Sequence, residues 1–319
     1  MNSLYQATET NAKFVEMLSS QDPEMNKQAA LNLGTYLKAQ IYEDSFFSRI
    51  IPPTPVTPEQ CDRSPDGIGF TYVIDKEFKS INAVTSTMRG LGDFRYAEGE
   101  RYAIPFHRIT SDEVEMDVDE IRAMRQPITS VVRNRTAFEI RKQMDKEFIG
   151  QVNFAIAQDP ANQEVSIAES SVTPDVIRQL RNILDGRGSV DGLYLRAATI
   201  LMTRAQWNSV PTWIQQNIAG APNTGVGAAG GITDKFWADG YEYDKLFGLR
   251  VVVTDKSDVV ADNEIYVFSA PEYLGHHLTL NDDRFMIEKR FTRVKWKGVR
   301  TMAFNIGNAY ACGKVVLTG

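Results

Sequence analysis

The chain has 319 residues, of which 43% are hydrophobic and 24% charged, with a formal net charge of −6. These values are typical of a soluble globular protein and exclude a disordered tail or a membrane span as its main component. The mildly acidic balance argues against a dedicated nucleic-acid-binding protein. Cys61 and Cys312 are too far apart in the sequence to suggest a disulfide framework or a zinc motif, and the first residues show no secretion signal. We therefore expect a reducing compartment. The length of the chain predicts roughly two compact units.

The first 68 residues have a pattern of their own. After Asp22 and Pro23, apolar residues recur at helical spacing up to Ile41, which predicts one amphipathic helix. Five of the thirteen prolines then lie between Pro52 and Pro65, a density that excludes both a helix and a central strand. The segment is predicted to be an extended arm, which either covers a neighbouring subunit or wraps around its own domain.

Residues 69–118 alternate between apolar and polar side chains. Phe70 and Ile74 belong to a first strand, and a glycine-rich centre separates it from a second strand that contains Tyr102 and Ile104 and continues through Val114. The pattern predicts a long β-hairpin. Because a two-stranded ribbon has no core of its own, it should lie on another surface.

The strongest helical signal follows, over residues 127–158, where apolar side chains recur every four residues. A four-residue step drifts around an α-helix, so different stretches of this long helix should pack against different partners.

Residues 165–270 are predicted to form an α/β unit. A helix should begin at Pro174, and buried strands should follow over residues 197–202, 249–254 and 264–268. Towards the C-terminus, strands are predicted over residues 285–296, 299–304 and 309–317.

Catalytic, metal-binding and cofactor motifs are not convincing in this sequence. His107, His276 and His277 lack the spacing of a zinc site. Residues 225–230 match GxGxxG, but helical sequence precedes them where a dinucleotide-binding fold needs a strand. We therefore expect no catalytic residue, no metal and no cofactor, and we interpret the glycine-rich segment as a surface loop.

The order and lengths of these elements resemble the major capsid proteins of tailed bacteriophages, which share the Hong Kong 97 phage capsid fold. The segments that carry the resemblance are residues 38–47 (KAQIYEDSFF), 101–105 (RYAIP), 198–203 (ATILMT) with Gln206-Trp207, and 248–255 (GLRVVVTD). The resemblance implies an α+β chain built from an N-terminal arm (1–68), an extended hairpin loop (69–110), a peripheral domain with a spine helix (111–164), an axial domain (165–269) and peripheral strands (270–319).

The resemblance also implies the function. It predicts a non-enzymatic protein that assembles as pentamers and hexamers into an icosahedral shell around double-stranded DNA, with separate scaffold and portal proteins and no membrane partner. Such a protein assembles in the host cytoplasm and resides in the virion capsid. An encapsulin-like nanocompartment shell is the alternative within the same fold, and an α/β hydrolase or nucleotide-binding enzyme is the alternative outside it.

A basic strip over residues 284–300 carries seven basic side chains and a single acid, Glu288. Its possible partners are DNA phosphate and the acidic run of six carboxylates between Asp112 and Glu120. We favour the acidic run, in the same or an adjacent subunit, because the strip alternates as a strand with its charges on one face. The candidate assembly contacts are Arg293, Lys295, Lys297, Glu115 and Asp117.

Overall fold

A computed structural model describes residues 42–63, 69–75, 101–124, 127–185, 195–210 and 245–319. Three of the sequence predictions lie outside these ranges: the amphipathic helix over residues 22–41, the glycine-rich centre of the hairpin, and the GxGxxG segment at residues 225–230. The described residues belong to two compact units. Of the described residues, 42–45, 107–124, 127–147 and 279–302 belong to the first unit, and the others belong to the second.

The described ranges contain both helices and strands. The helices are α1 (Phe46–Ile50), α2 (Val118–Ala123), α3 (Ile128–Ile156), α4 (Pro160–Gln163), α5 (Pro174–Asp185), α6 (Arg204–Trp207) and α7 (Pro271–Leu274). The strands are β1 (Thr54–Pro55), β2 (Asp62–Arg63), β3 (Phe70–Asp75), β4 (Arg101–Pro105), β5 (His107–Thr110), β6 (Val114–Asp117), β7 (Glu164–Ile167), β8 (Ala197–Thr203), β9 (Lys245–Leu246), β10 (Leu249–Thr254), β11 (Glu264–Ser269), β12 (Gly275–Arg290), β13 (Arg293–Ile306) and β14 (Cys312–Leu317).

The second unit contains a six-stranded sheet in the order β7-β14-β11-β8-β10-β9. β8 runs parallel to β10 and antiparallel to β11, so the apolar strands predicted from the sequence lie side by side at its centre. Helix α5 covers one face, and its side chains Val176, Leu180 and Leu184 are fully buried in the core of this sheet. The predicted helix at Pro174 and the three predicted strands are therefore confirmed.

Helix α3 confirms the predicted spine helix, with 29 residues from Ile128 to Ile156. Its first turn contributes Ile128 to an apolar cluster of the first unit. Farther along, Phe148 stacks on Phe47 and tilts against Phe268, all three within the second unit. Different stretches of the helix thus pack against different partners, as the drift of the apolar ladder predicts.

The base of the predicted hairpin is formed by β3 and β4, which pair antiparallel with Tyr72 opposite Ile104. Strand β2 adds a third short strand on the other side of β3. Ile104 is buried in a small cluster with Val56 and Leu278. The alternation over residues 70–75 and 101–105 therefore predicted the pairing correctly.

The prediction that this hairpin continues through Val114 is wrong. Strands β5 and β6 both pair antiparallel with β13 instead, with Ile109 opposite Arg300 and Glu115 opposite Lys295. Immediately afterwards Asp117 caps α2, which the alternating pattern did not predict. Local alternation identifies a strand but does not identify its partner.

The predicted C-terminal strands need a similar correction. Two long strands, β12 and β13, replace the predicted segments 285–296 and 299–304, and the chain reverses at Phe291 and Thr292. The turn carries neither glycine nor asparagine, and Phe291 adopts a left-handed backbone with φ 50°. Gly298, the apparent breaker, lies inside β13 and is buried there. The third strand, β14, begins at Cys312 rather than at residue 309.

Candidate assembly surface

Parts of the basic strip and of the acidic run lie side by side in the first unit, on strands β13 and β6. The two strands pair antiparallel, so that Arg293 is opposite Asp117 and Lys295 is opposite Glu115. Between the charged residues of β13, Val294 and Trp296 are almost completely buried. They pack in a cluster that also contains residues from α2 and the start of α3. Burial of this alternate set fixes the register and turns the charges outward.

Three ion pairs join β13 to β6 and to the residue before it. Arg293 lies 3.1 Å from Glu115, and Lys295 lies 2.6 Å from Glu113 and 3.4 Å from Glu115. Within one chain the acidic run thus pairs with the basic strip, and a role of these residues as assembly contacts stays a prediction. These side chains are partly or largely exposed, so the pairs organise the surface more than they stabilise the fold.

The ion pairs shift the protonation equilibria of their members. A hydrogen bond from Lys295 lowers the pKa of Glu113, and a hydrogen bond from Arg293 lowers the pKa of Glu115. The hydrogen bond to Glu113 in turn raises the pKa of Lys295. Both carboxylates therefore stay ionised to a lower pH than an isolated glutamate does. The ion pairs between β13 and the acidic run thus persist under mildly acidic conditions.

The other two candidate residues have different surroundings. Asp117 is the N-cap of α2, and its carboxylate accepts a hydrogen bond of 3.0 Å from the backbone N–H of Asp119. Lys297 is partly exposed and helps to lower the pKa of Glu113 through its charge. Glu113 itself is absent from the predicted contacts, although it belongs to the acidic run. Glu113 precedes β6 and lies diagonally across from Lys295, whose long side chain reaches it.

Two other kinds of site were sought in the part of the chain that the structure describes. There, no three His, Cys, Asp or Glu side chains gather closely enough to hold a metal ion. Within those same ranges, no helix has both the length and the apolar character needed to cross a membrane. What the described surface offers is a row of paired charges above an apolar layer, an arrangement suited to non-covalent contact.

Comparison with known proteins gives a result for structure and none for sequence. No family model matches the chain, and no curated protein matches it. In contrast, many solved structures are similar to it over almost its full length. A Mycobacterium phage Bobi structure shows 13% identity and a TM-score of 0.58, with 93% of this chain and 99% of that chain covered.

Two further similar structures are those of phage capsids. The capsid asymmetric unit of cyanophage Pam1 is 9% identical, with a TM-score of 0.60 and coverage of 90% of this chain and 96% of that chain. The mature capsid of bacteriophage PhiM1 is 11% identical, with a TM-score of 0.54 and coverage of 90% and 91%. The chain therefore has the fold of phage capsid proteins. The α+β Hong Kong 97-like fold predicted from the sequence is confirmed.

Proposed function

We propose that the chain is a major capsid protein that self-assembles into the icosahedral shell enclosing a double-stranded DNA phage genome. The observation that carries the proposal is the fold, which matches phage capsid structures over at least nine-tenths of both chains. In this proposal the protein has a structural and non-enzymatic role, resides in the virion capsid and assembles as pentamers and hexamers in the host cytoplasm. Separate scaffold and portal proteins would be its other partners.

The described arm and hairpin support this function physically. Helix α1 and Val56 of the arm are buried in the chain itself, but strand β1 and residues 57–60 are exposed, and on β3 the apolar side chain of Val73 is 39% exposed. The exposed stretches contribute little to the stability of a single chain. In a closed shell every subunit makes the same contacts many times, so that individually weak contacts reinforce one another.

We also propose that the charged face contributes to contacts between subunits through Arg293, Lys295, Lys297, Glu115 and Asp117. Its charges are outward and of both signs, so it can face a complementary arrangement on another copy. Electrostatic complementarity of this kind selects the partner and its orientation. The five-segment domain organisation, from arm to peripheral strands, is part of the same proposal.

Size-exclusion chromatography and negative-stain microscopy of the purified chain test the proposed function. We expect shells or capsomers. A small monomer that never assembles would contradict the proposal and would favour the enzyme alternative. The contents of the particles distinguish a phage capsid, which holds a genome, from an encapsulin-like shell, which holds cargo. DNA packaged in particles from a producing cell would support a phage capsid.

Charge reversal tests the proposed contacts. The double variant Arg293→Glu with Lys295→Glu should remain folded and soluble but assemble poorly, and Glu115→Lys with Asp117→Lys should partly restore assembly. Arg178→Glu is a matched control, because Arg178 forms an exposed ion pair of 2.9 Å with Asp175 in the second unit. Normal assembly of the double variant would contradict these contacts, and a loss of DNA retention alone would identify phosphate as the partner.

A further inference from the structure

The turn between β12 and β13 presents an aromatic side chain to solvent. Phe291 is 97% exposed, although Phe285 and Ile287 on the same hairpin pack against the apolar cluster beneath it. Its φ of 50° lies in the left-handed region, which glycine and asparagine adopt with little strain and a bulky residue adopts only against steric resistance. The backbone of the turn is fixed beside it, because the carbonyl of Thr292 accepts a 2.7 Å hydrogen bond from the N–H of Val118.

Folding of the single chain does not account for this side chain. A phenyl group that is 97% exposed buries almost no apolar area, so it stabilises the monomer little. Its backbone conformation disfavours phenylalanine, and its exposure lowers solubility. The residue at this position is therefore unfavourable for the isolated chain on both counts, which points to a contact that the isolated chain lacks.

The charges around the turn indicate what such a contact contains. Lys289, Arg290 and Arg293 lie within two residues of Phe291, and the nearest acid, Glu288, pairs with Arg290 at 2.8 Å. The sequence around the phenyl ring is thus basic, and two of its cations are held in exposed ion pairs, Arg290 with Glu288 and Arg293 with Glu115, which can exchange for acidic partners on another molecule. The docking surface for the ring should combine an apolar depression with acidic groups at the rim.

We propose that Phe291 anchors the β12–β13 hairpin tip in an acidic, apolar-centred surface of a second copy of this chain. The inference rests on the proposed function and adds a particular contact to it. Charge complementarity identifies the occupant: residues 284–300 carry a net charge of +6 in a chain of net charge −6, so the remaining residues carry −12. Outside this strip, a second copy therefore carries a net charge opposite to that of the tip.

Duplex DNA fits the same tip less well. Phosphates would satisfy the basic side chains, but an apolar ring gains contact with DNA only where bases are unstacked or single-stranded. A folded protein surface receives the ring without that cost. DNA is therefore treated as an alternative outcome of the experiment and not as part of the proposal.

Phe291→Asn tests the anchor, because asparagine removes the ring and also relieves the backbone strain. The thermal stability of the unassembled variant should equal or exceed that of the wild type, while the concentration needed for assembly should rise at least tenfold. These opposite effects separate docking from folding. Phe291→Trp keeps an aromatic group and should assemble at close to the wild-type concentration.

Phe247→Asn is the matched control. Phe247 also occupies a turn with positive φ, 51°, and is 57% exposed, but it lies between β9 and β10 in the second unit. Its replacement relieves the same kind of strain and should leave assembly unchanged. An equal loss in both variants would attribute the effect to turn backbones and would overturn the assignment to Phe291.

The remaining outcomes separate this inference from the function on which it rests. If the wild type forms shells and Phe291→Asn forms them at the same concentration, the anchor is wrong and the capsid function stands. If the wild type never assembles, both fail. If the variant assembles normally but binds a single-stranded or duplex oligonucleotide more weakly than the wild type, the tip contacts nucleic acid and the proposal is overturned.

Discussion

Gly298 lies on strand β13 directly against helix α3 within the first unit. A Cβ atom at this position would be 2.3 Å from Cγ2 of Thr136 and 3.0 Å from Cδ1 of Ile140. The strand cannot move away easily, because Gly298 and Ser111 exchange two hydrogen bonds, of 2.9 Å to the Ser111 hydroxyl and 3.0 Å from the Ser111 N–H. We predict that Gly298→Ala destabilises the chain by steric overlap.

The expected loss follows from the two contacts. The Ile140 methyl group is at the end of a side chain and can rotate, but the Thr136 methyl group is on a β-branched residue whose χ1 is restricted in a helix. Overpacking of this kind costs about 2–3 kcal/mol, and the reduced entropy of the unfolded chain offsets about 0.5–1 kcal/mol of it. The free energy of unfolding should therefore fall by about 1–2.5 kcal/mol.

Urea unfolding followed by circular dichroism measures this change, and Thr136→Ser supplies the second arm of a double-mutant cycle. Serine removes the overlapping methyl group and keeps the hydroxyl, so Gly298→Ala should cost at least about 1 kcal/mol less in that background. Gly150→Ala is the control, because Gly150 lies in helix α3, as Thr136 does, with nothing within 4 Å of an added Cβ. This variant should raise the free energy of unfolding by up to about 1 kcal/mol. If Gly298→Ala costs the same in the wild-type chain and in the Thr136→Ser background, the steric explanation is refuted.

Two further predictions concern other contacts. The Glu147 carboxylate lies 3.1 Å from Nε2 of His107, and this hydrogen bond lowers the pKa of Glu147 below its ordinary value of about 4.5. The hydrogen bond therefore stabilises the fold above that pH, and this stabilisation is lost as the pH falls further and Glu147 becomes protonated. Glu147→Gln should flatten the acid side of a plot of urea midpoint against pH, and an unchanged slope would contradict this. Phe47 is fully buried against three aromatic rings, and Phe47→Ala should cost about 3–5 kcal/mol in thermal unfolding. Phe47→Leu keeps much of the apolar volume and should cost clearly less; equal losses would contradict buried apolar volume as the main cause.

Features with a local signal were predictable from the sequence. The spine helix was predicted over residues 127–158 and spans Ile128–Ile156, since its apolar ladder is continuous over many turns. The helix that begins at Pro174 combines a start signal with an apolar face, and Val251 belongs to an uninterrupted β-branched run. In each case the residues that define the element lie close together in the sequence, so no knowledge of the partner was needed.

Features set by distant contacts were not predictable in the same way. Gly298 resembles a strand breaker in the sequence, yet it lies inside β13. The position requires glycine because Thr136 occupies the space that a side chain would need. The turn at Phe291 carries no glycine or asparagine, so no local signal indicates that the chain reverses there. The pairing of β6 with β13 joins residues far apart in the sequence, and only their opposite charges indicated it.

The charge pattern predicted a partner more successfully than it predicted a function. Because Arg293 and Lys295 already pair with Glu113 and Glu115 in one chain, most of the attraction expected between strip and run is satisfied before any second copy arrives. Exposed pairs of this kind exchange partners readily, since water and salt screen them. An intersubunit contact made by charges alone would therefore gain little net free energy and would serve mainly to orient the subunits. Affinity must come from apolar area that is exposed in the single chain, and on this hairpin the largest such group is the ring of Phe291.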